Sequence, residues 1–222
     1  MTIAALIPAA GQGSRLGRGP KAFVELGGRT LLERAVTNLG PFTSEIVVAV
    51  PPGMQARASQ LLGGRARLVA GGDSRQESVH ALLCETDADL VLIHDAARPF
   101  VPAVVVRALL DAVERSDAAT AVAPVADSLL VAATGETLER SRVRAVQTPQ
   151  GFRRALVLEA HRHARAHGVT ATDDAALVRD LGHEVALVPG SPWLMKVTTP
   201  QDLRMAEALA LAWDREAGHA RA

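Results

Sequence analysis

At 222 residues, with 48% hydrophobic and 22% charged side chains, the chain has an ordinary globular makeup and room for one large domain or two small ones. Its 24 basic and 24 acidic residues cancel to a formal net charge of zero, which removes the electrostatic argument for a general nucleic-acid or membrane-surface partner. A single cysteine, Cys84, excludes an internal disulfide and a cysteine-rich metal site, and no run approaches the ~20 apolar residues of a membrane-spanning helix. The N-terminal apolar run stops at Pro8 with no basic segment before it, too short for a signal peptide, so a cytoplasmic location is expected.

Taken in order, apolar strand-like runs alternate with helix-like segments, which predicts an α/β fold with a mainly parallel sheet. Strands are expected at Thr2–Pro8, Glu45–Val50, Arg67–Ala70, Asp89–His94 and Ala118–Ala123, and helices at Thr30–Leu39, Met54–Leu62, Ser74–Glu85 and Pro102–Glu114. Cys84 beside Leu82 and Leu83 reads as a buried packing thiol. After Pro124 the rhythm changes. Asp127–Ala132 and Thr137–Arg140 flank Thr134-Gly135-Glu136, a hairpin signal, followed by another strand-like run at Arg142–Gln147. This hairpin has few neighbours, so it reads as an arm for a partner subunit; a β-meander lying on the surface is the alternative. Helices resume at Gly151–Ala166 and Asp173–Leu181, strands at Glu184–Val188 and Leu194–Val197, and Pro200–Arg215 closes the chain with Thr199 as its cap. No repeat or low-complexity linker divides the sequence, so one domain over residues 1–222 is expected, with the arm inserted at about 125–147.

The chemistry gathers at strand ends, where open α/β sheets bind ligands. After the first strand comes Pro8-Ala9-Ala10-Gly11-Gln12-Gly13-Ser14-Arg15, running on to Pro20-Lys21. Glycines without a Cβ let backbone N–H groups approach an anion, and Arg15 and Lys21 add a cationic fork and a compact mobile charge. The loop is suited to a polyphosphate; the alternative is a strand-to-helix turn whose glycines serve geometry alone. No Gly-x-x-x-x-Gly-Lys-Ser/Thr string occurs, and the glycine spacing does not fit Gly-x-Gly-x-x-Gly. Of the 24 basic residues only Lys21 and Lys196 are lysines, both at strand or loop ends. Asp95 emerges from the run Leu90-Val91-Leu92-Ile93 as a carboxylate suited to Mg2+, or else caps a helix or pairs with Arg98. Asp73 and Ser78 could cap the following helix or touch a base or ribose.

The loop resembles the Gly-x-Gly-x-Arg-Leu…Pro-Lys signature of nucleotidyltransferases. The wider set, PAAGQGSRLGRGPK, GGDSRQESV, HDAARPF, APVADS, TLERSRVRAVQTPQGF, TDDAALV and LMKVTTPQDL in this order, resembles the 2-C-methyl-D-erythritol 4-phosphate cytidylyltransferase family over nearly the full chain. That resemblance implies a Rossmann-like, mainly parallel sheet with helices on both faces, of the nucleotide-diphospho-sugar transferase type, plus a protruding β-hairpin arm. It implies CMP transfer from CTP to methylerythritol phosphate with release of pyrophosphate, a divalent cation such as Mg2+, and a homodimer joined through the arm. Pro8, Ala9, Ala10, Gly11 and Gly13 would line the CTP site, with Gly71, Gly72, Asp73 and Ser78 at the cytosine. Arg15 and Lys21 would stabilise the α-phosphorus in the transition state. Asp95, Ala96 and Arg98 would stand at metal, ribose and acceptor. Ser128, Arg140, Thr148, Thr172 and Lys196 would position the acceptor, Ser128 and Arg140 in the neighbour's site. Two departures stand out: the Arg15–Lys21 interval is one residue shorter than the family pattern, and Ser128 replaces Thr. Rival readings are a cytidylyltransferase for another polyol phosphate such as ribitol 5-phosphate, and a non-catalytic nucleotide-binding domain.

Overall fold

The computed structural model describes residues 1–219. β1 (Ile3–Pro8) buries all its inner residues because helices cover both its faces. A small hairpin of β2 (Glu25–Leu26) and β3 (Arg29–Thr30) leads into α1 (Leu31–Leu39). Thr30 starts that helix in a reciprocal cap: its hydroxyl accepts the Glu33 N–H, and the Glu33 carboxylate accepts the Thr30 N–H. Then follow β4 (Glu45–Val50), α2 (Gln55–Leu62), β5 (Arg67–Ala70), α3 (Arg75–Cys84), β6 (Leu90–Ile93), α4 (Ala103–Ser116) and β7 (Ala118–Ala123). A minimal hairpin of β8 (Leu129–Leu130) and β9 (Thr137–Leu138) precedes β10 (Ala145–Arg153), α5 (Arg154–His167), α6 (Asp174–Asp180), β11 (Ala186–Pro189) and α7 (Pro200–His219).

The main sheet has seven strands in the order β11-β7-β10-β6-β1-β4-β5, and only β10 runs against its neighbours. Alternation along the strands sorts the core into two layers. Ala5, Ile7, Val48, Leu90 and Leu92 pack under α1, α2 and α4, whereas Ala4, Leu6, Val47, Val91 and Ile93 pack under α3, α5 and α6. From β1 the chain first builds outward through β4 and β5, then returns to place β6 on the other side of β1. This reversal opens a crevice between the carboxyl ends of β1 and β6. A third, smaller cluster sits beside it: Leu16, Val24, Leu26, Leu31, Phe100, Val197, Leu203 and Ala206, with Trp193 and Trp213 against them. Among the described residues no helix is long and apolar enough to cross a membrane.

Four expectations need correction. β10 continues through Thr148-Pro149-Gln150-Gly151 to Arg153, so Gly151–Arg153 is strand and α5 starts only at Arg154. Pro149 has no N–H for the ladder, and the pairing with β7 skips from Val146 to Gln150 around it, which broke the periodic signal. Leu194–Val197 is not a strand; a single tight turn at Pro192–Leu194 precedes an extended segment outside the sheet. Cys84 is exposed, because α3 turns Ser78, Val79, Leu82 and Leu83 inward and the next position rotates out. The hairpin arm pairs two residues a side, far less than the runs that suggested it.

Candidate active site

The crevice at the β1–β6 junction holds a cavity of about 660 Å³. Its wall is made by residues 8–15 after β1, Lys21 and Ala22, residues 71–75 and Ser78 after β5, residues 95–97 after β6, and Lys196 and Thr198 before α7. The three strand-end loops are stitched to their neighbours through the backbone: Ala9 N–H donates to the Ala49 carbonyl, Gly71 N–H to Val50, and His94 N–H to Leu6. Backbone bonds of this kind fix the loops to the sheet.

Within the first loop, Leu16 is the buried anchor, held in the third cluster, while Arg15 is exposed toward the cavity. Gly13 has φ +65°, and a Cβ there would stand 2.8 Å from the Lys21 Cβ. Only glycine therefore lets the loop double back and set Lys21 against its own start, where Lys21 N–H reaches the Gly11 carbonyl at 3.3 Å. The short Arg15–Lys21 interval thus still brings both cations to one cavity. Burial, then Lys196 and Arg15, lower the Lys21 ammonium from 10.5 to about 8, although Asp95 pulls in the opposite direction.

On the second loop Ser74, not Asp73, caps α3, in a reciprocal pair with Glu77. Asp73 stays exposed on the cavity wall. The Ser78 hydroxyl donates to the Ser74 carbonyl at 2.9 Å and accepts the Gly72 N–H at 3.1 Å, so it holds the glycine pair in shape. A Cβ on Gly71 would overlap Ala10, which is how closely the first two loops meet.

Asp95 is the hub. Its side chain is only 10% exposed, and its ion pairs are with Lys196 at 2.6 Å and Arg75 at 2.9 Å rather than with Arg98. Burial alone would raise its pKa; Arg75 and Lys196 outweigh that and hold the carboxyl well below the usual range. Its backbone N–H donates to the Thr148 hydroxyl at 3.1 Å. That hydroxyl in turn meets His94 Nδ1 at 3.1 Å, and His94 Nε2 donates to the Arg98 carbonyl at 2.9 Å. Complete burial lowers the His94 pKa to about 4, so it is a neutral hydrogen-bonding residue.

The expected site residues divide into two groups. Pro8, Ala9, Ala10, Gly11, Gly13, Arg15, Lys21, Gly71, Gly72, Asp73, Ser78, Asp95, Ala96 and Lys196 all line the cavity. Arg98, Ser128, Arg140, Thr148 and Thr172 lie outside its lining. Thr148 is buried behind Asp95, and Arg98 reaches the Leu194 carbonyl. Ser128 and Thr172 are exposed, and Arg140 donates to the Ala126 carbonyl at 2.6 Å on the arm. Sequence reasoning missed Arg75, although a signal existed. A cation at the first residue of a helix faces the positive end of its dipole, an unfavourable place unless a carboxylate holds it.

A model of the 2-C-methyl-D-erythritol 4-phosphate cytidylyltransferase family matches residues 3–211. The chain belongs to this family. The cytidylyltransferase of that name from Deinococcus radiodurans is 57% identical over 209 residues, covering 93% of this chain and 88% of its own. The one from Thermus thermophilus is 50% identical over 216 residues, covering 96% and 99%. A crystal structure of the Thermus thermophilus enzyme superposes with a TM-score of 0.85 over 95% of this chain and 99% of that one, at 46% identity. A 4-diphosphocytidyl-2C-methyl-D-erythritol synthase structure from Anaerococcus prevotii reaches the same TM-score at 26% identity, covering 95% and 96%. Membership makes the chain a nucleotidyltransferase enzyme with the α/β fold described above.

Proposed function

We infer that the enzyme transfers CMP from CTP to 2-C-methyl-D-erythritol 4-phosphate, giving 4-diphosphocytidyl-2-C-methyl-D-erythritol and pyrophosphate. One observation carries the residue assignment: the chain's only two lysines, from opposite ends of the sequence, meet beside Asp95 in the crevice where the glycine loop opens. In this reading the loop N–H groups and Arg15 bind the triphosphate, and Lys21 acts on the α-phosphate. The Gly71-Gly72 backbone, shaped by Ser78, reads the cytosine edge, with Asp73 and Ala96 beside the nucleoside. Lys196 receives the acceptor, with Arg98, Thr148 and Thr172 assigned to the acceptor by the family resemblance.

The acceptor's phosphate oxygen attacks the α-phosphorus in line, and pyrophosphate leaves. A phosphate monoester is already anionic at neutral pH, so the protein has no proton to remove. Catalysis is positioning and charge neutralisation, by Arg15 and Lys21 on one side and Lys196 and Arg140 on the other.

The donor set suits a divalent cation such as Mg2+. Among the described residues no group of three or more His, Cys, Asp or Glu could hold a metal, so Asp95 would be a protein ligand and phosphate oxygens and water would supply most of the shell. Such an ion would neutralise triphosphate charge. The exposed arm at about 125–147, carrying Ser128 and Arg140 away from their own cavity, supports a homodimer in which each arm serves the other site. The remainder of the chain acts as one catalytic domain, and the enzyme is cytoplasmic, with no nucleic-acid or membrane partner.

The test is pyrophosphate release with Mg2+ and CTP, offering methylerythritol phosphate or ribitol 5-phosphate, with ATP, GTP and UTP as controls. Turnover confined to CTP with methylerythritol phosphate is expected. Turnover with ribitol phosphate instead would move the acceptor assignment and leave the nucleotide half standing.

A further inference from the structure

Behind Asp95 the ionic contacts continue into the protein. Arg75 Nε donates to Asp95 Oδ1 at 2.9 Å, and Arg75 Nη2 donates to Asp174 Oδ2 at 2.8 Å. Asp174 is 1% exposed and fully engaged: His161 Nε2 meets its other oxygen at 3.0 Å, and its own N–H donates to Gln150 Oε1 at 3.1 Å. Gln150 belongs to β10, His161 to α5 and Asp174 to α6, so Arg75 is tied to three elements of the layer behind the cavity. A guanidinium presents its donors in a rigid planar fork, and two fixed carboxylates therefore fix its orientation. The other partner of Asp95 is different. Lys196 is 42% exposed on a flexible stem, and a half-exposed ammonium pair is readily exchanged. Arg75 also does nothing for its own helix, which Ser74 and Glu77 already cap and whose dipole disfavours a cation there.

We propose that Arg75, anchored from behind by Asp174, is a positioning residue that keeps Asp95 in place while Lys196 leaves it for an incoming phosphate. The proposal rests on the reading of the cavity as the cytidylyl-transfer site. Asp95 thus has one fixed and one exchangeable partner. The resting Lys196–Asp95 pair keeps the lysine at the cavity wall, and the Arg75–Asp174 pair prevents the carboxylate from turning away once the lysine is gone.

The experiment compares Arg75→Met, Asp174→Asn, the double variant and Arg75→Lys, with Asp95→Asn as a reference. It reads kcat, the KM of each substrate, CTP affinity by calorimetry without acceptor, and the thermal midpoint. Arg75→Met is expected to lower kcat by roughly 10²-fold, the effect of a misplaced group, while CTP affinity stays within about threefold. Because both residues act through one chain of contacts, the double variant should lose no more than Arg75→Met does. A kcat within twofold of the parent, additive losses, or losses that simply track the thermal midpoint across the set would each overturn the proposal. Should Arg75→Met fail to fold, Arg75→Lys decides: it keeps the charge but lacks the rigid fork that holds two carboxylates at fixed positions, so about a tenfold fall in kcat is expected and parental activity refutes the idea. Normal turnover by Asp95→Asn would instead overturn the reading of the cavity itself.

Discussion

The two halves of the proposed site are built differently. The nucleotide half is finished within one chain: three strand-end loops bonded to the sheet, a glycine that seats Lys21, and a carboxylate held by two cations. The acceptor half is scattered. Lys196 is in the cavity, Thr148 is buried behind it, and Ser128, Arg140 and Thr172 stand on exposed segments outside. A rigid sheet edge can preorganise phosphate binding at the end of folding, whereas a two-residue-a-side arm has too little burial to place a side chain without a surface to lie on.

Removing Lys21 strikes the finished half hardest. Lys21→Ala should lower kcat by roughly 10²–10³, about 3–4 kcal/mol, while calorimetry finds CTP binding little changed. Equal losses in both would deny Lys21 its transition-state role. Asp95→Ala should remove activity and also destabilise the fold by about 3 kcal/mol in urea titration, the low end for breaking a buried pair, because Arg75 retains Asp174.

For the scattered half, mixing inactive subunits is the sharper probe. If Arg140 serves its neighbour, a Lys21→Ala and Arg140→Ala mixture should regain about a quarter of parental activity, since half the dimers hold one intact site of two. No regain beyond either variant alone would return Arg140 to its own site.

The pH dependence separates catalysis from stability. With Lys21 at about 8 when folded against 10.5 as its ordinary value, the unfolded chain holds the extra proton between these limits. The Lys21 contribution to stability therefore rises with pH across that window, while activity that needs the ammonium falls above about pH 8. Rate profiles and denaturation midpoints should diverge there, and Lys21→Arg should abolish the fall in rate. The smallest effect is expected at Ser128→Ala, within about 0.5 kcal/mol on stability because the side chain is exposed, with a modest rise in acceptor KM.

The division between the halves also marks what the sequence made legible. Glycine spacing, buried strand runs and helix caps are local signals, and they located β4, β5 and β7 to the residue and every loop of the nucleotide half. Only the start of β10 was legible; its continuation from Thr148 to Arg153 was not, since its pairing depends on two strands far away and tolerates a proline through a break in register. Arg75 was missed for a related reason: its partners Asp95 and Asp174 are distant in sequence, and only the fold brings them together. The extended stretch carrying Lys196 read as a strand because it is short and mostly apolar, yet it pairs with no strand: Leu194 packs into the sheet core beside β7 and β11, while Val197 packs into the small cluster with Phe100 and Leu203.

The small cluster beside the crevice gives the chain a particular optical signature. It has no tyrosine, and both its tryptophans are here: Trp193 and Trp213 have ring centroids 5.2 Å apart and flank Phe100 at 5.9 and 5.5 Å. Rings this close couple as chromophores, so tryptophan emission, and the tryptophan part of the near-ultraviolet dichroism, come from the corner that seats Leu16 and Val197. An emission change during a CTP titration would record a shift of that seat, next to both lysines. Emission that changes on heating before backbone ellipticity does would mean that this corner melts first.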